Sequence, residues 1–252
     1  MRSGLYDERS VTVEGRDAIR DADRVFAEFY TSRLVGTDLD ALEAFHDTDI
    51  EVRDRAGVER NPDPVLAAAE TASVVFLTAG DTMVSTTHAD LRIRAEERGI
   101  DTHVVHGTTA RTAASSLTGL QNYRFGKATT LPFETAHGGD GVPDSVVATI
   151  EDNRARDLHT PVYLDIKVDD PHWAESDDTY MTADRAARLL GAEFPDRLAV
   201  VVARAGSPDP LVVADTLANL ATRDFGDPLH LLVIPAELHP IEDEALSAVA
   251  ES

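Results

Sequence analysis

SVVFLTAGDTMVSTTHADLRIRAEERG (73–99) decides the fold. SVVFLTA (73–79) is a short β-branched and aromatic run, bounded by a Gly-Asp turn, and so reads as a strand. STTHADLRIRAEERG (85–99) reads as a helix ending at a glycine. The same rhythm extends in both directions. Strands are predicted at 24–29, 50–54, 102–107, 127–132, 161–167, 198–205 and 229–235. Helices are predicted at 11–22, 62–70, 143–157, 182–194, 210–224 and 237–250. Alternation on this scale predicts an α/β fold with largely parallel pairing. In open α/β sheets, ligands bind beyond the carboxyl ends of strands. The turn at Gly80-Asp81 is therefore a place to look for chemistry, as are the loop at 204–210 and the segment FGDPLH (225–230).

GTTARTAASSL (107–117) is small and polar and interrupts the rhythm, which sets an expected boundary between domains 1–108 and 109–252. PFETAHGGDGVPD (132–144) is rich in Gly and Pro and reads as a surface excursion. The longest apolar stretches fall far short of the ~20 residues a membrane span needs. Cysteine is absent, so there is no disulfide frame and no thiol nucleophile. These features fit a soluble cytoplasmic protein.

Acidic residues number 46 against 23 basic ones, and the formal net charge is −23. The lysines are Lys127 and Lys167; the other basic residues are arginine. Acid excess with scarce lysine fits a very salty cytoplasm, where the Debye length falls to about 3 Å at 1 M and self-repulsion is screened. A surface for nucleic-acid phosphates is not expected.

Several familiar chemistries fail on inspection. Gly126-Lys127 invites a phosphate-loop reading, but Gln121 and Ala128 break the pattern. No GxGxxG follows a strand, and no GxSxG elbow occurs. His103 and His106 lie at odd spacing in a predicted strand, on opposite faces, so joint metal ligation is not expected. Asp38 and Asp40 sit where a helix should start, and capping is their expected role.

TAGDTMVSTTH (78–88) resembles the cofactor loop of tetrapyrrole-type methylases. GLYDE (4–8), VFAEFYTS (25–32), TTHADLRIRA (86–95), TGLQNYRFGK (118–127), GDGVP followed by LHTPVYLDIK (158–167), YMTADRAARLL (180–190), ARAGS (203–207) and DFGDPLHLLVIP (224–235) occur in the order of the diphthine synthase family and span nearly the whole chain. The resemblance implies two α/β domains with the cofactor folded in the cleft between them, usually in a homodimer. It implies an S-adenosylmethionine-dependent N-methyltransferase. The implied substrate is the aminocarboxypropyl group on a modified histidine of translation elongation factor 2, methylated to diphthine, a step of diphthamide biosynthesis. Family cofactor contacts fall on Leu5, Asp81, Val84, Thr109, Ala110, Leu164, Ala205 and His230. Most would be backbone or packing contacts; Asp81 is the side chain expected to make a polar one. His230 has two open readings, a donor to the cofactor or a structural histidine. No catalytic base stands out.

Departures from the family pattern exist. Met-Arg-Ser alone precedes Gly4, so the first strand is expected to be missing or cut short, and Arg2 replaces the first Gly of a pair. The family's PGDP reads Ala79-Gly80-Asp81-Thr82, and an APSI-like loop reads GTTA (107–110). Two rival functions follow: a catalytically impaired homologue that binds the elongation factor, and a tetrapyrrole methylase of the same fold.

Overall fold

The computed structural model describes residues 5–84, 86–134, 136, 141–168 and 179–250. The chain forms two compact units, Met1–Thr109 with Lys167–Asp178 and Ala110–Ile166 with Thr179–Ser252. Among the described residues no helix is long and apolar enough to cross a membrane. The expected shortening of the first strand falls on residues 1–4, outside the described residues, as do residues 135 and 137–140 of the 132–144 excursion.

The first unit carries α1 (Val13–Arg20), β1 (Arg24–Ala27), α2 (Leu39–His46), β2 (Ile50–Val52), α3 (Asp63–Ala69), β3 (Val74–Leu77) and α4 (Ala89–Glu97). Its sheet is parallel, in the order β2-β1-β3. The register sets Val25 against Ile50 and Ala27 against Leu77. Side chains alternate between faces along a strand. Val25, Ala27, Ile50 and Leu77 accordingly share one core with Ile19 of α1 and Leu42 of α2. Thr12 caps α1 through the Gly15 N–H. Asp38 caps α2 through the Ala41 N–H at 2.8 Å, the role expected of it.

The predicted strand at 102–107 joins no ladder among the described residues, although Val105 is buried in this core. Its β-branched residues pack without backbone pairing. His103 and His106 are therefore not strand residues. His103 meets Glu14 and His106 meets Asp81.

The second unit opens with α5 (Ala110–Thr118), then β4 (Thr129–Leu131), α6 (Asp144–Arg154), β5 (Thr160–Leu164) and β6 (Ile166–Lys167). It continues with β7 (Thr179–Tyr180), α7 (Ala183–Glu193), β8 (Leu198–Ala203), β9 (Leu211–Thr216), α8 (Leu217–Leu220), β10 (His230–Ile234) and α9 (Pro240–Val249). The main sheet has the order β4-β5-β10-β8-β9, and β6 pairs with β7 in a small ribbon. Only β4 and β5 are parallel in the main sheet; β10 runs antiparallel to both β5 and β8, and β8 to β9. The expectation of largely parallel pairing thus holds for the first unit and fails for the second.

The predicted helix 210–224 is also corrected. Its first half is strand β9, paired with β8 from Leu198↔Thr216 to Ala203↔Leu211. Only Leu217–Leu220 is helical. Val212 and Val213 are buried on opposite faces of the sheet, which a strand allows. The stretch 107–117, expected to mark the boundary between domains, runs into α5, which opens the second unit. Val200, Val202, Val212, Leu231 and Val233 form a core with Ala114 of α5 and Leu246 of α9. Intervening positions Val201 and Leu232 are equally buried, because the sheet is covered on both faces.

Candidate active site

In the first unit, β3 ends in Thr78-Ala79-Gly80-Asp81. Gly80 has φ +75°, a conformation that side chains disfavour, and it turns the chain sharply away from the strand. Asp81 is 6% exposed. Its carboxylate accepts the Met83 N–H at 3.1 Å and the Gly107 N–H at 3.2 Å. His106 Nδ1 lies 3.1 Å from Asp81 Oδ2, with the His106 ring largely exposed. Asp81 therefore locks its own loop and ties it to 106–107. The hydroxyl of neighbouring Thr82 is buried with no hydrogen-bond partner among the described residues. Val84 is 39% exposed; its N–H closes a turn onto the Asp81 carbonyl at 3.1 Å. Leu5 is half-buried at the start of the described chain, and Thr109 is half-buried where the first unit ends.

In the second unit, three of the sequence-predicted residues, Leu164, Ala205 and His230, lie at one end of the sheet. His230 begins β10 and pairs with Ala203 of β8; Leu231 pairs with Tyr163 of β5. Continuing that antiparallel register places Leu164, the last residue of β5, beside His230. Ala205 follows β8 by two residues, and Ala110 begins α5; both pack against the Val200–Val233 core. Leu164 is 8% exposed and apolar, which suits packing rather than polar contact.

Both ring nitrogens of His230 are engaged within the unit. Nδ1 accepts the Ala183 N–H at 3.0 Å, and Nε2 lies 3.0 Å from the Asp227 carbonyl. A carbonyl only accepts, so the ring is neutral with its proton on Nε2. Burial lowers its pKa, against the opposing pull of the Asp227 carbonyl. The ring braces the start of α7 against the 227–230 turn.

A further pair of residues lies in two of the family segments quoted above, VFAEFYTS and TTHADLRIRA, though nothing in the sequence joins them. Glu28 follows β1 directly and is fully buried. Its carboxylate accepts the Thr31 N–H at 3.0 Å and the Thr31 hydroxyl at 2.5 Å. His88 Nε2 lies 3.5 Å from Glu28 Oε1, and His88 Nδ1 lies 2.5 Å from the Thr86 hydroxyl. The rings of Phe76 and Tyr30 stand edge-on to His88 at 5.6 and 6.4 Å. Glu28 and His88 lie far apart in sequence and meet because β1 pairs directly with β3. Their sequence signal is membership of two family segments; the sequence does not show that the two side chains meet.

The tetrapyrrole (corrin/porphyrin) methylase profile matches residues 3–221, and the chain belongs to that family of methyltransferases. Among curated relatives, a diphthine synthase of Haloarcula marismortui is 78% identical over 98% of this chain and 95% of its own length. A diphthine synthase of Halorubrum lacusprofundi is 70% identical, covering 98% and 94%. A crystal structure of diphthine synthase superposes with a TM-score of 0.87 at 37% identity, covering 99% of this chain and 94% of the other. The matched relatives include several from haloarchaea, in keeping with the acidic composition.

Proposed function

We propose that this methyltransferase acts as a diphthine synthase: it transfers methyl groups from S-adenosylmethionine to the amine of the aminocarboxypropyl-histidine of translation elongation factor 2. The observation that carries the reading is the Asp81 loop, set at the end of a parallel strand, in a chain 78% identical to a curated diphthine synthase. Elongation factor 2 is the protein partner in this reading, and a homodimer in the cytoplasm is its expected setting.

The residues fit the cofactor. The unpartnered Thr82 hydroxyl beside Asp81 offers a buried polar atom for a ligand group. Gly80, Gly107, Thr109, Ala110 and Ala205 are small, so backbone can approach closely. Leu164 offers apolar packing, and Leu5, Val84 and the His230 backbone complete the set. When bound, S-adenosylmethionine supplies an electrophilic methyl group on a sulfonium. The chain's part is positioning in line and exclusion of water, since a sulfonium leaving group needs no covalent help. Asp81, rigid in its own hydrogen bonds, orients a cofactor hydroxyl or ammonium.

The test is mass spectrometry of elongation factor 2 bearing the aminocarboxypropyl-histidine, incubated with protein and S-adenosylmethionine in molar KCl. Mass gain in methyl steps at that histidine is expected. Asp81→Ala should weaken cofactor binding at least tenfold by calorimetry, in line with about 1.5–3 kcal/mol for a hydrogen bond to a charged group. No methyl gain from a protein that binds the cofactor refutes the acceptor.

A further inference from the structure

Arg204 takes a backbone conformation that a side chain disfavours. Its φ is +52°, in the left-handed region that glycine ordinarily occupies. Such residues persist only where their surroundings over-determine them, and they cluster at functional sites. The strain falls on the step from β8 into its loop. Ala203 ends β8 and pairs with His230, and Ala205 follows Arg204 directly.

Both the backbone and the side chain of Arg204 are held. Its N–H donates to the Leu229 carbonyl at 3.3 Å, and its carbonyl accepts the Ser207 N–H at 3.0 Å. The guanidinium spans two loops: Nη1 donates to the Phe225 carbonyl at 3.1 Å, and Nε to the Asp209 carbonyl at 3.3 Å. A Cβ on Gly226 would stand 3.2 Å from Nη1, so the guanidinium lies against bare backbone there. Each loop is also tied within itself. The Ser207 hydroxyl accepts the Asp209 N–H at 3.1 Å, and Asp224 accepts the Gly226 N–H at 2.9 Å. The Phe225 and His230 rings meet edge to face at 6.2 Å. Burial lowers the His230 pKa, and the charge on Arg204 adds to the lowering. Arg204 therefore joins two braced loops into one surface at the end of the sheet that carries Leu164, Ala205 and His230. Its acceptors are uncharged carbonyls, so molar salt weakens this clamp less than it would an exposed ion pair.

We propose that Arg204 is a positioning residue for the cofactor, a proposal that rests on the methyltransferase reading above. In that reading S-adenosylmethionine meets Ala205 and the backbone of His230. Arg204 sets the first through its own left-handed turn. It sets the approach to the second by gripping the Phe225 and Leu229 carbonyls. It acts through these two loops and not on the reacting atoms. Its loss shows in how tightly the cofactor is held, not in how fast the methyl group moves.

The experiment compares wild type with Arg204→Gly, Arg204→Lys and Glu242→Gln in molar KCl. Glycine adopts the left-handed turn without strain, so Arg204→Gly removes the clamp and spares the backbone. Arg204→Lys keeps the charge but not the fork that reaches both carbonyls, and it carries the test if the glycine variant does not fold. Glu242→Gln loosens the same unit at the opposite end of the sheet, beside His159. Calorimetry should show S-adenosylmethionine bound about tenfold more weakly by either Arg204 variant, the order lost with one hydrogen bond to a charged group. Glu242→Gln should bind within about twofold of wild type. In the cofactor-free protein, amide hydrogen exchange across 205–210 and 225–229 should quicken in the Arg204 variants. On the modified elongation factor, their kcat at saturating cofactor should match wild type. A folded Arg204 variant that binds the cofactor like wild type, or whose amide exchange is unchanged, overturns the proposal. So does an equal loss of affinity in Glu242→Gln, because the effect is then one of stability alone. A wild type that binds no S-adenosylmethionine overturns the functional reading beneath it.

Discussion

Replacing Glu242 by Gln should destabilise the second unit by about 3 kcal/mol, and the loss should fade in acid. Glu242 is fully buried at the start of α9. One carboxylate oxygen accepts the Gln121 N–H and His159 Nε2–H, each at 2.9 Å. The other accepts the His239 N–H at 2.9 Å and meets the Arg124 guanidinium. His159 is neutral: burial lowers its pKa against the pull of Glu242, and its Nδ1 accepts the Ala236 N–H. Burial pushes the Glu242 carboxyl upward, but the hydrogen bonds from His159, His239 and Gln121 outweigh it and hold the pKa at about 2. Against the ordinary 4.5, at about 1.36 kcal/mol per pH unit, the ionised form contributes about 3 kcal/mol. The folded value is depressed, so this stability is complete above 4.5 and drains as pH falls towards 2. A Gln side chain must turn its NH₂ towards one of the two pairs of donors, leaving them unpaired. Scanning calorimetry at fixed molar KCl should show Glu242→Gln melting about 10 °C below wild type at pH 6 for a unit of this size. By pH 3.5 the gap should narrow from about 3 to about 2 kcal/mol. A gap under 2 °C at pH 6, or one constant between the two pH values, would refute this account.

His46 is fully buried, and neither ring nitrogen has a hydrogen-bond partner among the described residues. Burial, then Arg20, lowers its pKa below 6.5, so the unfolded chain takes up its proton first and stability is lost as pH drops below about 6.5. His46→Leu should therefore raise the melting temperature, by more at pH 5 than at pH 8; a variant equally or less stable at pH 5 contradicts this. Gly119 has φ +73°, and a Cβ there would sit 2.4 Å from the Ala245 Cβ of α9. Gly119→Ala should cost about 2–4 kcal/mol, from left-handed strain plus overpacking, read as a drop in melting temperature.

Strands buried on both faces were the most legible part of the sequence: LAVVVARA and LHLLVIP announce β8 and β10 by apolar run length alone. β9 misled because LVVADTLANL joins a strand directly to a helical turn at Thr216-Leu217, so the helical spacing of the second half spread over the first. α5 was hidden because Ala-Arg-Thr-Ala-Ala-Ser-Ser carries little apolar weight; small side chains let it lie close to β8 and β10. Asp81 was visible because a Gly-Asp turn after a strand has a local signature. The Glu28–His88 pair has none, since it exists only through the β1–β3 pairing, while β2, the next strand in sequence, lies on the other side of β1.

β10 is the central strand of its sheet and, among the described residues, follows its four sheet partners in sequence. During synthesis, β4-β5 and β8-β9 can pair in two separate halves, but each keeps an open apolar edge until β10 slots between them. The unit therefore closes only once β10 has been made. Until then the nascent chain exposes two edges able to pair with other chains, which places its aggregation hazard in that interval.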